Sequence, residues 1–194
     1  MAYNHNMKET SKELNPSLSG GFLISDFINE EQVVILGKSN TKSDDNKSIY
    51  ESFGGKVEVE DLSPMHTATR ELIEELFNLK LLTTNINDIV DMIKEHKLII
   101  KEYKFYGIAY LINFNGLNVI FQKICEYTDI LLKYKNNNFF DLPTFIKDRQ
   151  IVRKVSKGLN EIRSIHLYKI KDIKARKIEL RWYTIQIINK MFRK

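Results

Sequence analysis

The chain has 194 residues, of which 43% are hydrophobic and 28% are charged, proportions that are ordinary for a soluble globular domain. The length predicts one domain with a substantial core, and the apolar runs are too short to cross a bilayer, so no membrane partner is expected. The polar N-terminus lacks the apolar stretch of a signal peptide, and the single cysteine, Cys125, excludes an internal disulfide. These features predict an intracellular, cytoplasmic protein with Cys125 in its core.

The net charge of +5 is distributed unevenly along the chain. Residues 1–117 hold 12 Lys and Arg against 18 Asp and Glu, whereas residues 118–163 hold 9 against 5 and residues 164–194 hold 9 against 2. An acidic part can hold metal ions, and a basic part can bind a polyanion such as nucleotide phosphate or RNA. The alternative is that the lysines are solvated surface residues that reflect coding bias.

The polar residues 1–16 predict a flexible lead, followed by a single domain over 17–194. Short apolar runs at 21–25 and 32–37 predict two buried strands. Between them, residues 29–31 predict a hairpin turn.

A polar stretch at 38–48 predicts an exposed loop, and the glycines at 54 and 55 predict a turn that leads into a short strand or loop. Ser63 and Pro64 then mark the start of a helix. Serine is a favoured N-cap, and proline fits the first helical position because its missing N–H has no partner there in any case. This helix is predicted to run to about Phe77.

Apolar spacing predicts the remaining elements and one α+β domain. A basic, mainly helical insertion at about 118–163 separates two of its strands. In chain order the predictions are a helix over 86–96, a long strand over 103–114, a helix over 118–134 that breaks at 136–138, a helix over 143–157, a strand over 164–170 and a helix over 174–192.

Three carboxylates lie close together on the helix after Pro64. Glu71, Glu74 and Glu75 have the spacing i, i+3 and i+4, which places them on one helix face. Like charges at this distance raise each other's pKa unless a cation neutralises them. A site built from carboxylate oxygens suits Mg²⁺ or Mn²⁺. The alternative is a solvated helix face without a ligand.

Together with upstream residues, this run resembles the box of the Nudix hydrolase superfamily. In that box a Gly, five residues, a Glu and seven residues precede Arg-Glu-apolar-any-Glu-Glu-any-Gly-apolar. Here five residues separate Gly55 from Asp61, which replaces the Glu, and eight residues separate Asp61 from Arg70. The residues from Arg70 to Glu75 match in full, and Phe77 replaces the closing Gly. The lead at 50–56 also resembles the family's aromatic-x-x-Pro-Gly-Gly-Lys segment.

The resemblance implies a Nudix-like α/β/α sandwich with a mixed β-sheet and a helical insertion. It implies hydrolysis of a diphosphate linkage with Mg²⁺ or Mn²⁺ as cofactor. The residues it places at the metal are Glu71, Glu74, Glu75 and the carbonyl of Gly55.

The resemblance also gives Arg70 an orienting role in catalysis, through an ion pair to Asp61. The extra residue before the helix is expected to be absorbed at Ser63 and Pro64. Asn78, which follows the replaced glycine, is expected to adopt the left-handed conformation that ends many helices.

Further residues are predicted at the site. Lys56, Phe53 and Lys38 are candidates for substrate binding, and Glu161, on a late loop, is the candidate general base beside Glu71 and Glu74. Ordinary surface roles are the alternative for Lys56 and Glu161. His66 and His166 are predicted to be structural. Trp182 and Tyr183 are predicted to be core or packing residues, and the alternative is that they are stacking platforms for bases.

The natural substrate is not set by the box. The basic insertion and a similarity to Nudix proteins of large cytoplasmic DNA viruses favour the 5′ cap of mRNA, cleaved in a host cytoplasm with release of m7GDP. The alternatives are hydrolysis of free nucleotides or diphosphoinositol polyphosphates, and an inactive module that binds RNA or nucleotide. The sequence does not indicate an oligomeric state.

Overall fold

The computed structural model of the chain describes residues 19–42, 47–104, 107–150, 162–175 and 178–192. The predicted lead at 1–16 and the candidate base Glu161 lie outside these ranges. None of the helices within them has the length and apolar character needed to span a bilayer.

The strands form a mixed seven-stranded sheet and a small separate hairpin. The sheet runs in the order β3-β2-β1-β6-β5, with β4 paired to β1 and β9 paired to β2. Only the β1–β6 pair is parallel among the described strand pairs. The strands are β1 (Ser19–Ile28), β2 (Glu31–Lys42), β3 (Ser48–Glu51), β4 (Phe53–Lys56), β5 (Ile99–Lys104), β6 (Ile108–Ile112), β7 (Lys135–Asn136), β8 (Phe139–Phe140) and β9 (Ile162–Lys169).

Along the chain, four α-helices lie between the strands β4 and β9, and two follow β9 among the described residues. A π-helical turn, Leu72–Leu76, continues the first of them, and a 3₁₀ helix, Asp129–Tyr134, follows the third. The α-helices are α1 (Pro64–Glu71), α2 (Thr83–Glu95), α3 (Phe114–Ile124), α4 (Leu142–Gln150), α5 (Ile170–Lys174) and α6 (Trp182–Met191).

The sheet lies between two helical layers because its strands are apolar on both faces. In β1, Phe22 and Ile24 face a core that includes residues of α1 to α4, whereas Leu23 faces a smaller core with α5 and α6. This arrangement confirms the predicted α+β sandwich with a mixed sheet. Between β6 and β9 lie α3, the 3₁₀ helix, the β7–β8 hairpin and α4, where the helical insertion was expected.

The predicted turn between β1 and β2 is confirmed. Asn29 and Glu30 both have positive φ, which a two-residue turn needs to match the twist of the strands. The exposed loop predicted at 38–48 is wrong in its first part, because β2 continues to Lys42. Backbone pairing with β3 and β9 keeps these polar residues in the sheet.

Two further predictions need correction. The stretch 103–114 is not one long strand but the β5–β6 pair, and Phe114 already begins α3 because Asn113 caps that helix by accepting a hydrogen bond from the Gly116 N–H at 2.8 Å. The C-terminal helix predicted at 174–192 is interrupted, since Leu180 forms a bridge with Tyr50 in β3. Helix α6 therefore starts only at Trp182.

Phe77, which replaces the closing glycine of the box, is buried among aromatic side chains. Its ring centroid lies 5.6 Å from that of Phe145 in α4, 5.8 Å from Phe140 in β8 and 6.4 Å from Phe121 in α3. The end of the carboxylate-bearing helix thus shares one core with the segment between β6 and β9.

Replacing Phe77 by alanine is expected to lower the free energy of unfolding by about 3 to 5 kcal/mol, because it removes a buried ring and leaves a cavity between three others. Urea denaturation measures this change. Phe139→Ala is the matched control, since its side chain is 68% exposed and its loss is expected to cost less than about 0.5 kcal/mol. Equal losses in the two variants would contradict the packing role of Phe77.

Candidate active site

The start of α1 is held close to β1. The Ser63 hydroxyl accepts a hydrogen bond from the His66 backbone N–H at 3.1 Å, which confirms the predicted N-cap. A Cβ on Gly20 would lie 2.0 Å from the Pro64 carbonyl oxygen, so only glycine allows this approach of strand and helix. Ala68 and Leu72 are fully buried in the core that includes Phe22 and Ile24 of β1.

A buried ion pair ties the loop before α1 to the helix. The Arg70 guanidinium donates from Nε to Asp61 Oδ1 at 3.1 Å and from Nη2 to Asp61 Oδ2 at 3.0 Å. Nη2 also donates to the Lys56 carbonyl at 3.1 Å, which fixes the end of β4. The predicted Arg70–Asp61 pair is therefore confirmed, and such a two-pronged pair holds both partners in one geometry.

Asp61 is the centre of this loop and is only 1% exposed. It also accepts hydrogen bonds from the Glu58 N–H, from His66 Nδ1 and from the Thr67 hydroxyl. Burial alone would raise its pKa, but the hydrogen bonds from Arg70 and these neighbours outweigh burial and lower the pKa to about 2. Asp61 is consequently a carboxylate throughout the neutral range.

Two of the three box carboxylates contact the same guanidinium. Arg70 Nη1 lies 3.0 Å from Glu71 Oε1 and 3.4 Å from Glu74 Oε2. Glu58, which the sequence analysis did not single out, lies 3.5 Å from the same nitrogen. Burial raises the pKa of Glu74, and the charge of Glu58 adds to this, whereas Arg70 lowers it; the net shift is upward.

Glu75 faces a different partner. Its Oε2 accepts a hydrogen bond from the Gly54 N–H at 2.8 Å, and the side chain is buried. Glu75 therefore contacts β4, whereas Glu71 and Glu74 contact Arg70. The cause is the π-helical turn, which has more residues per turn than an α-helix and rotates Glu75 toward β4.

The glycine strand is fitted to these carboxylates. A Cβ on Gly55 would lie 2.1 Å from Glu71 Oε1, so glycine keeps room for that carboxylate beside the backbone. Glu71 and Glu75 thus both contact the Gly54–Gly55 segment, one on each glycine. After the helix, Asn78 has a φ of 56°, which confirms its predicted left-handed conformation.

The predicted substrate-binding residues have different surroundings. Lys56 is exposed at the end of β4, next to the glycines. Phe53 is fully buried in the core. Lys38 pairs with Tyr50 and Ser164 in the sheet and is absent from the described lining of both cavities beside the carboxylate helix.

These two cavities have similar sizes. One, of about 310 Å³, is lined by the acidic loop residues together with Arg70, Glu74 and Lys80. The other, of about 320 Å³, lies between β1, β4 and the start of α6 and includes Gly54, Gly55 and Lys56. The first cavity therefore adjoins Arg70 and Glu74, and the second adjoins the glycine strand.

The donor atoms suit Mg²⁺ or Mn²⁺, since carboxylate and carbonyl oxygens are the ligands these ions prefer. In the described part of the chain, no three His, Cys, Asp or Glu side chains are arranged to hold a metal ion. Glu71 and Glu74 both contact the Arg70 guanidinium.

Sequence reasoning missed Arg149, whose Nη2 donates to the Glu75 carbonyl at 3.0 Å and so binds the end of the carboxylate helix to α4. No local pattern links residues that are 74 positions apart. Trp182, interpreted from the sequence as a packing residue, is 57% exposed. Its place at the mouth of the 320 Å³ cavity has no signal in the sequence.

No family model and no curated protein matches the chain. Among solved structures it is similar to the crystal structure of a mutT/nudix family protein from Listeria innocua, with 13% identity and a TM-score of 0.43, over 91% of each chain. It is also similar to a MutT/nudix family protein from Enterococcus faecalis, with 14% identity and a TM-score of 0.33, over 55% of this chain and 40% of that chain.

Replacing Asp61 by asparagine is expected to lower the free energy of unfolding by about 3 kcal/mol or more at pH 7, because Arg70 then keeps a buried charge without its main partner. Since the folded-state pKa of Asp61 is lowered to about 2, its contribution is complete above pH 4 and is lost as the pH falls from about 4 to about 2. That component amounts to about 2 kcal/mol.

Urea denaturation at several pH values tests both statements. Asp91→Asn is the control, because Asp91 is 68% exposed and pairs only with the exposed Lys94 among the described contacts. The stability of the Asp61 variant is expected to fall less steeply between pH 4 and pH 2 than that of the wild type. Parallel pH curves would show that the ion pair does not stabilise the loop.

Proposed function

We propose that the chain is a metal-dependent hydrolase of the Nudix type, which cleaves a diphosphate linkage in a nucleoside-diphosphate-linked substrate. The observation that carries this proposal is the contact of two box carboxylates, Glu71 and Glu75, with the Gly54–Gly55 segment. Glu75 accepts from the Gly54 N–H, and a side chain on Gly55 would clash with Glu71. Strand and helix thus bring together the residues that the box resemblance selects.

Glu71, Glu74, Glu75 and the Gly55 carbonyl would hold the cation. A bound Mg²⁺ or Mn²⁺ lowers the pKa of water and neutralises charge on the phosphate. Arg70 has a positioning role, because its contacts with Glu71 and Glu74 fix the positions of these carboxylates before a cation binds. Glu161 remains the proposed general base.

For the substrate we propose capped RNA, with m7GDP as the product. The support is charge. Residues 118–163 hold 9 Lys and Arg against 5 Asp and Glu, and residues 164–194 hold 9 against 2, so the second half of the chain attracts a long polyanion. Free nucleotides and diphosphoinositol polyphosphates are the alternative substrates. For these smaller molecules, the charged residues of the box would be sufficient for binding.

A second candidate function is binding without turnover. It is favoured by the contacts of Arg70 with both Glu71 and Glu74, since a guanidinium already neutralises the charge that a metal ion would neutralise. Catalysis and binding are distinguished by whether a phosphate-containing product is released.

Glu74→Gln is expected to reduce turnover at least about hundredfold, because the amide cannot supply the charge that a divalent cation requires. The measurement is product release from a labelled substrate with Mg²⁺ or Mn²⁺, beside a reaction with chelator. Glu95→Gln, at the exposed end of α2, is the matched control and should retain wild-type turnover. Wild-type turnover by the Glu74 variant would disprove the assignment of the site.

With cap-labelled RNA as substrate, we expect release of m7GDP that weakens steeply as salt is raised, because basic residues outside the box hold the RNA backbone. Free cap dinucleotide and nucleoside triphosphates are assayed in parallel. Hydrolysis of the small nucleotides alone would replace RNA decapping by nucleotide hydrolysis. RNA binding without any turnover would establish the binding module instead.

A further inference from the structure

The cavity of about 320 Å³ between β1, β4 and α6 contains an unusual buried acid. Glu51, at the end of β3, is 5% exposed and lines this cavity together with Arg181 and Trp182. The Gly54–Gly55 segment borders the same cavity. The cavity therefore begins where the candidate phosphate-cleaving site ends.

The two oxygens of the Glu51 carboxylate differ. Oε2 accepts a hydrogen bond from the Tyr183 hydroxyl at 2.5 Å and lies 2.9 Å from Arg181 Nε. Burial, the charge of Glu51 and its hydrogen bond all raise the pKa of Tyr183, so the tyrosine stays protonated and is the donor. Oε1 is buried and has no hydrogen-bond partner among the residues that the structure describes.

A buried carboxylate oxygen without a donor is costly, and proteins normally satisfy such an atom. Tyr183 and Arg181, which contact Oε2, fix the orientation of the carboxylate. Oε1 is therefore positioned to accept a hydrogen bond from a ligand. The ligand must therefore offer N–H or O–H groups to this atom.

Trp182 provides the second recognition element. It is the single tryptophan of the chain, is 57% exposed at the start of α6 and borders the cavity. An exposed indole beside a cavity is a stacking surface for a nucleobase. Lys56, at the glycine end of the same cavity, supplies a positive charge where a phosphate group would lie.

We propose that this cavity binds the base of a guanine nucleotide, with the Glu51 carboxylate as acceptor and Trp182 as stacking surface. Guanine presents two adjacent donors, N1–H and the 2-amino group, on one edge. Adenine places the N1 acceptor beside its amino group, and uracil places its one N–H between two carbonyl oxygens, so both would bring an acceptor toward the carboxylate. Only one part of this proposal rests on the proposed function, namely the direction in which the phosphate groups of the nucleotide point.

The test uses the intrinsic fluorescence of Trp182 in the full chain, with chelator present so that no turnover occurs. Titration with GMP is expected to quench the fluorescence at concentrations about tenfold or more below those required for AMP. IMP, which lacks the 2-amino group, should bind between the two. These measurements on the wild type require no variant.

Glu51→Gln is expected to weaken GMP binding about tenfold to hundredfold and to leave AMP binding nearly unchanged. The amide oxygen will face Arg181 and the Tyr183 hydroxyl, so the amide N–H₂ replaces Oε1 and meets the donors of guanine. Glu60→Gln, an exposed acid in the loop before α1, is the matched control. If the Glu51 variant does not fold, Trp182→Leu is titrated with GMP by calorimetry and should show the same order of loss.

Equal quenching by GMP and AMP, or no quenching by either, would overturn the proposal. Unchanged GMP binding in both the Glu51 and the Trp182 variants would also overturn it. The proposed hydrolase function fails by a different result, namely absence of product from every substrate, and GMP-selective quenching in that case still supports the base-binding cavity.

Discussion

The arrangement depends on one buried charge, the Arg70 guanidinium, which is 8% exposed. A charge removed from water needs partners in fixed positions, and Asp61 supplies two of them. Because Asp61 belongs to the loop and Arg70 to the helix, satisfying this charge fixes the loop on the helix. The Lys56 carbonyl accepts from the same guanidinium, so the end of β4 is fixed as well.

This constraint explains how a helix turn can carry three carboxylates in a folded chain. Glu71 and Glu74 share one cation, and Glu75 is stabilised separately by the Gly54 N–H. Arg70 is thus the group that holds together the loop, the helix and two of the box carboxylates.

The sequence was sufficient to predict the structure where residues that are close in the chain are also close in space. The Ser63 cap, the Arg70–Asp61 pair and the left-handed Asn78 all belong to one short stretch, and each follows from local chemistry. It was insufficient where contacts between distant segments determine the structure. The backbone bridge of Tyr50 with Leu180 interrupts the predicted C-terminal helix, and no periodicity within that helix indicates a partner 130 residues away.

The role of Phe77 also depends on contacts with distant segments. Its packing gives a physical reason for the replacement of the closing glycine of the box. A glycine at this position would leave a hole among Phe121, Phe140 and Phe145, which belong to the segment between β6 and β9. Arg149 adds a hydrogen bond from that segment to the Glu75 carbonyl. The helical segment is therefore part of the support of the carboxylate helix, and a ligand that shifts it would also shift Glu75 against the glycine strand.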